Sequence, residues 1–184
     1  MEQYGRWPPI YDAEDLANAI ADLAGRPDLE AVFFDSVTSG GPYCQGDVLE
    51  LSSGAPVIDA DGEPTLVGNF KYWLAIGNTC DFDRALVDVA WTQIVPLVDV
   101  SAANAEQIAA LRAYRPSRRF FVPPWPGLPE GQGYAADLLL PAALHKQAIG
   151  SKALVIARVS RQAWALLHGC LIRFLARDDG RFAP

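Results

Sequence analysis

At 184 residues, with 51% hydrophobic and 20% charged residues, the chain has a globular composition and is long enough to bury a core in one domain. No apolar run reaches the roughly 18–20 residues that a bilayer-crossing helix requires, so no membrane is expected as a partner. The formal net charge of −7 conceals an asymmetry, because residues 1–100 carry 17 acids against 4 bases and residues 101–184 carry 5 acids against 11 bases. The two halves can neutralise each other within one fold, or they can leave a basic face for an anionic partner.

The N-terminus, MEQYGRWPPIYDAEDL, lacks a basic start followed by an apolar core, so no signal peptide is expected there. The three cysteines, Cys44, Cys80 and Cys170, include no CxxC pair. Together these features predict a cytoplasmic protein with free thiols, no zinc site and no cofactor. Residues 1–11 read as an extended arm whose aromatic side chains dock on the body. Asp12 is placed to cap a helix in which Leu16, Ile20 and Leu23 share one side, and Gly25-Arg26-Pro27 ends it. A second short helix is predicted over Asp28–Val37, so that residues 1–44 form a helical N-terminal extension of the same domain.

From Gly46 the pattern turns to strands. Val48–Leu51 is a short strand, and 52–67 is a loop or ragged hairpin with Asp61-Gly62 at its turn. The centre of the chain is Asn69–Val98, where the apolar runs Tyr72–Ile76 and Val87–Val98 suit buried strands. A polar segment, Asn78 to Arg84, lies between them and is thereby held at the end of a rigid element. Ser101–Tyr114 reads as a helix, with Arg118–Val122, Tyr134–Leu140 and Ala153–Ala157 as further strands. The last helix is the clearest, with Ser160 as its cap and Ala163, Trp164, Leu167, Cys170, Leu171 and Phe174 on one face. The predicted architecture is α+β: a small, strongly bent SH3-like β-barrel with N-terminal helices, one mid-chain helix and a C-terminal amphipathic helix.

Three groups of residues carry chemistry. Around Cys80, the residues Asn78, Thr79, Asp81, Asp83 and Arg84 combine a thiol with polar side chains. A nucleophilic thiolate needs a base, His145 and His168 are distant in sequence, and the adjacent carboxylates raise a thiol pKa, so a structural corner is the simpler expectation. Asp59, Asp61 and Glu63 lack the ligand count of a calcium loop and read as a solvated turn. The stretch Arg112, Tyr114, Arg115, Arg118, Arg119, Phe120, Phe121 and Trp125 mixes guanidinium groups with aromatic rings, which suits single-stranded nucleic acid. Its alternative is that the rings are core and the arginines cover acidic neighbours.

The order of elements from Gly46-Asp47-Val48, through Trp73–Asn78 and Ile94-Val95-Pro96-Leu97, to Gly127-Leu128-Pro129, Ile149-Gly150 and the final helix resembles the MazF/PemK family of small-barrel toxins over about residues 45–177. The corner Gly77-Asn78-Thr79-Cys80-Asp81 is similar to one carried by many small barrels of this kind. The resemblance implies descent from metal-independent endoribonucleases of toxin–antitoxin pairs. These use an arginine before the buried strand and a serine or threonine after the Val-Pro strand. Lys71 stands near the arginine position, and no hydroxyl residue precedes Ser101 at the second. The family's catalytic pair is therefore not carried over, and the expectation is a divergent or inactive endoribonuclease. Its catalytic candidates are Lys71 at the arginine position and, from the corner itself, Cys80 and Asp81. The expected nucleic-acid contacts are Asn78, Arg84, Arg115, Arg118 and Arg119. The expected partner is single-stranded RNA. The competing expectations are a protein-interaction module that meets a partner chain or forms a homodimer, and a Cys80-dependent hydrolase.

Overall fold

A computed structural model describes residues 13–37, 42–128 and 132–175. Strand β2 (Asp47–Ile58) and strand β3 (Pro64–Ala75) form a long antiparallel hairpin, and β4 (Trp91–Asp99) extends it. Strand β8 (Leu154–Val159) lies on the other side of β2, and β1 (Phe34–Asp35) pairs beyond it. Beyond β4 come β6 (Tyr134–Asp137) and β5 (Arg119–Val122), while β7 (Ala142–His145) pairs with the first part of β4. Seven strands follow the path β1-β8-β2-β3-β4-β6-β5, and β7 joins off that path on β4, making one eight-stranded antiparallel sheet.

No ladder joins β1 to β5, so among the described residues the hydrogen bonding leaves an open sheet and does not close a barrel. The sheet nevertheless bends until its ends approach. The ring of Phe33, just before β1, lies 6.2 Å from that of Phe120 in β5.

Tyr72–Ala75 is apolar without alternation because both faces of β3 are covered. Tyr72 and Leu74 join Val48, Val95 and Phe120 in the larger core, where they meet Leu16 and Ile20 of α1 (Ala13–Ala24) and Leu166, Leu167 and Cys170 of α4 (Arg161–Leu175). Trp73 points the other way, with Leu49, Ile94 and Ile149, and its indole N–H donates to the Leu51 carbonyl at 2.7 Å.

The predicted helix over Asp28–Val37 does not form. Turns occupy its first part, and Phe34–Asp35 is instead recruited as an edge strand of β8. Fully buried Phe33 anchors this segment, and tertiary pairing outweighs a short helical spacing. The expected arm over residues 1–11, the Asp12 cap and the turn at Pro129 lie outside the described residues. The ragged loop over 52–67 is mostly regular hairpin with bulges between Glu50 and Ala55. Its turn is fixed by the Asp59 carboxylate, which accepts from the amides of Asp61 and Glu63.

The second apolar run is shorter than its composition suggests. Residues 85–89 make a turn, Val87 is 91% exposed, and the strand begins at Trp91. Helix α3 (Ala105–Arg112) opens with a complete capping box between Asn104 and Gln107. At the start of α4, the Ser160 hydroxyl accepts from the Ala163 amide, as the sequence predicts.

Candidate functional site

Strand β3 leaves the sheet at Ile76, and the chain turns through a short helix, α2 (Thr79–Asp83), before returning as β4. Four expected site residues, Asn78, Cys80, Asp81 and Arg84, therefore share one corner. Its position is fixed from several directions.

Beneath α2, the Lys146 ammonium donates to the carbonyl oxygens of Asp81 at 2.7 Å, Arg84 at 2.8 Å and Phe82 at 3.5 Å. Lys146 is only 7% exposed, so these carbonyls replace its water. On the other side, the Gln45 amide N–H donates to the Thr79 hydroxyl at 3.1 Å, and the Gln45 side chain donates to the Ile76 carbonyl at 2.7 Å. The same side chain accepts from the Trp164 indole at 2.8 Å, which ties α4 to the corner. Tyr43 packs on Phe82 with ring centroids 6.2 Å apart.

The preceding Gly46-Asp47 is structural. Asp47 is 1% exposed and is gripped by the Arg158 guanidinium at 2.6 and 2.9 Å, while the Cys44 amide donates to it at 2.8 Å. Gly46 has φ of +92°, and a Cβ there would overlap Val159.

Two cavities flank the corner and share Ile76, Asn78 and Gln93. One, of about 320 Å³, is walled by His168, Leu171 and Ile172 of α4 and is mostly apolar. The other, of about 460 Å³, is bounded by Gly77, Asp81, Trp91, Thr92 and Ala143. Trp91 is 58% exposed and is braced edge-on by His145, with ring centroids 4.9 Å apart. Thr92 is 5% exposed, and its hydroxyl has no hydrogen-bond partner. Gly77 makes this close packing possible, since a Cβ there would overlap the Thr92 hydroxyl and lie 3.0 Å from the Gln93 nitrogen. Asn78 precedes α2 without a side-chain capping bond, so its amide is not spent on the helix.

Cys80 is exposed and has no histidine against it. His145 packs on Trp91 and accepts from the Gln147 amide, while His168 stacks on Trp164. Asp81 pairs with Arg84 at 3.6 Å.

Lys71 belongs to a different neighbourhood. It projects from the middle of the hairpin, 3.4 Å from Glu50 and 4.9 Å from the centre of the Tyr72 ring. Hydrogen bonding to Tyr72 and to Glu50 holds its ammonium above its ordinary pKa. Tyr72 in turn contacts Trp125 and Tyr134 edge-on at 5.0 and 5.3 Å, and burial together with Asp99 pushes the Tyr134 phenol up. Among the described residues no hydrogen bond, ion pair or shared cavity joins Lys71 to the corner.

The basic–aromatic stretch is largely used by the fold. Phe120, Phe121 and Trp125 are 0%, 3% and 5% exposed, so their faces are not free to stack on bases. Arg119 pairs with Asp137 across β5–β6 at 3.1 Å, and Arg112 pairs with Glu30 at 3.2 Å. Arg115 and Arg118 are exposed and form no ion pair among the described residues. They lie at the α3–β5 connection, away from the corner in the sheet order.

Sequence reasoning missed Lys146, Gln45, Gly77, Trp91, Thr92 and Gln93. One signal was readable: Trp91-Thr92-Gln93-Ile94 alternates exposed and buried, which sets an indole on the open face of a strand. No helix among the described residues is long and apolar enough to cross a membrane. In comparisons with known proteins, the chain matches no protein-family model and no curated protein.

Proposed function

We propose that this protein is a small-barrel RNA-binding protein, akin to the MazF/PemK toxins in the order of its elements, that engages single-stranded RNA at the β3–β4 corner. The observation that carries this reading is the corner itself. A buried lysine, a buried glutamine and a tryptophan from α4 all fix a polar turn whose outer side chains, Asn78, Asp81 and Arg84, are left to solvent beside an exposed indole. Rigid backing behind exposed polar groups is how recognition sites are built. Arg84 supplies a cation at the corner, while Lys71 on the hairpin and Arg115 and Arg118 farther along the chain are exposed basic groups outside it. Closure of the bent sheet into an SH3-like barrel belongs to the same proposal, supported by the approach of Phe33 to Phe120.

Binding is the activity assigned. Lys71 is a point charge already shared between Glu50 and Tyr72, and it lacks the bidentate fork of an arginine. The test is a gel assay with labelled single-stranded RNA, with and without EDTA. A salt-sensitive shift of intact RNA supports binding. EDTA-resistant cleavage lost in Lys71→Ala would add a ribonuclease activity. No shift and no cleavage would overturn the proposal.

One observation favours a second reading, a protein-interaction module. Ile58 and Leu66 on the β2–β3 hairpin are 68% and 65% exposed and sit near its tip. That reading predicts self-association in solution, disrupted by Ile58→Asp or Leu66→Asp, without RNA affinity.

A further inference from the structure

The cavity beside the corner has a composition that a phosphate would not choose. Asp81 lines it with a carboxylate, Asn78 and Gln93 contribute amides, and Trp91 provides an aromatic wall. The groups are neutral or acidic, and Arg84 is already engaged with Asp81. A planar ligand carrying both N–H donors and acceptors matches all of them, because it can lie against the indole and present its edge to the polar groups. A guanidinium group would satisfy Asp81 but could not supply acceptors to the amide N–H groups. At about 460 Å³ the cavity is within the size range of small-molecule sites.

We infer that the cavity formed by Asn78, Asp81, Trp91, Thr92 and Gln93 receives one unpaired nucleobase bearing an amino group, stacked on Trp91, with its amino group donating to the Asp81 carboxylate. This rests on the RNA reading and adds to it the part of the RNA that is recognised. Thr92 shapes the wall of the cavity, but its hydroxyl is closed off against Gly77 and is assigned no bond to the base. His145 acts as a positioning residue, bracing the Trp91 ring edge-on. The site also accounts for affinity in a protein of net charge −7, because stacking and edge contacts do not depend on many phosphate contacts.

Cytosine and uracil form the minimal pair, differing by an amino group in place of a carbonyl oxygen. The experiment measures binding of single-stranded oligocytidine and oligouridine of equal length, and of free cytidine and uridine, by anisotropy and by quenching of tryptophan fluorescence. Wild-type protein is expected to prefer the cytidine oligomer by about tenfold, as one charge-assisted hydrogen bond allows. Asp81→Asn should erase that preference, and Trp91→Ala should weaken both oligomers by about tenfold through lost stacking. Both positions are solvent-accessible, and the Lys146 bond to Asp81 is to main chain, so both variants should melt near the wild-type temperature.

Equal binding of the two oligomers, or a preference unchanged in Asp81→Asn, overturns the base site and leaves RNA binding standing. Cytidine quenching without any oligomer binding overturns the RNA reading and keeps the base site. Silence from every probe overturns both.

Discussion

The Lys146 ammonium donates a 2.7 Å hydrogen bond to the main-chain carbonyl of Asp81, a residue 65 positions earlier in the chain. With the bonds to Phe82 and Arg84 it closes the end of α2, where a cation also meets the negative end of the helical peptides. Lys146→Met would leave those carbonyls without their donor. It is expected to destabilise the fold by about 2–3 kcal/mol, the scale of hydrogen bonds to a charged group. Urea unfolding followed by circular dichroism measures it, and a change below about 0.5 kcal/mol would show that the corner does not depend on this lysine.

Gly77 is required by proximity, since its φ is ordinary and a Cβ would strike the Thr92 hydroxyl. Gly77→Ala should cost about 1–3 kcal/mol by overpacking. In a Thr92→Ala background the cost should shrink, although the Gln93 nitrogen at 3.0 Å keeps part of it. A double-mutant cycle measures the coupling. Additive effects would mean that the two residues do not contend for the same space.

The thiols should separate by reactivity. Burial raises the Cys170 thiol to about 12 and also raises Cys44, while Cys80 is exposed. With iodoacetamide at pH 8, Cys80 should be alkylated first and Cys170 only after unfolding. Mass spectrometry of the time course reports the order. Early modification of Cys170 would contradict the packing of α4. Alkylation of Cys80 at a rate far above that of a free cysteine would revive a thiol-dependent hydrolase.

Burial lowers the pKa of His168, so the unfolded chain takes up its proton more readily than the folded one. Stability from this group is present above the unfolded value near 6.5 and is lost as pH falls through the folded value. Melting temperature should therefore fall as pH drops below about 6.5, and His168→Gln should flatten that slope. An NMR titration giving His168 a midpoint at or above 6.5 would contradict it.

The strands and helices with tertiary reasons visible in one stretch were legible. Tyr72–Ile76 announces a strand buried on both faces, and Ser160 with the face from Ala163 to Phe174 announces α4. The edge strand at Phe34 was hidden, because it exists through pairing with Val159 and not through its own pattern. At the corner, Asn78 to Arg84 drew attention by composition. What supports it did not, since Lys146, Gln45 and Trp164 come from three distant segments and only the fold assembles them. The basic–aromatic stretch was open to two readings in the sequence, and only the fold separates its residues. Phe120 and Phe121 are both buried and Arg119 faces Asp137 across the ladder, while Arg115 and Arg118 stay exposed.

The most direct test of RNA binding at the corner is the salt dependence of single-stranded RNA affinity, followed by anisotropy for wild-type protein and Arg84→Ala. Loss of one phosphate contact should lower the slope of log affinity against log salt by about 0.7 in the variant. An unchanged slope in Arg84→Ala, or no RNA affinity in the wild-type protein at low salt, would contradict the account.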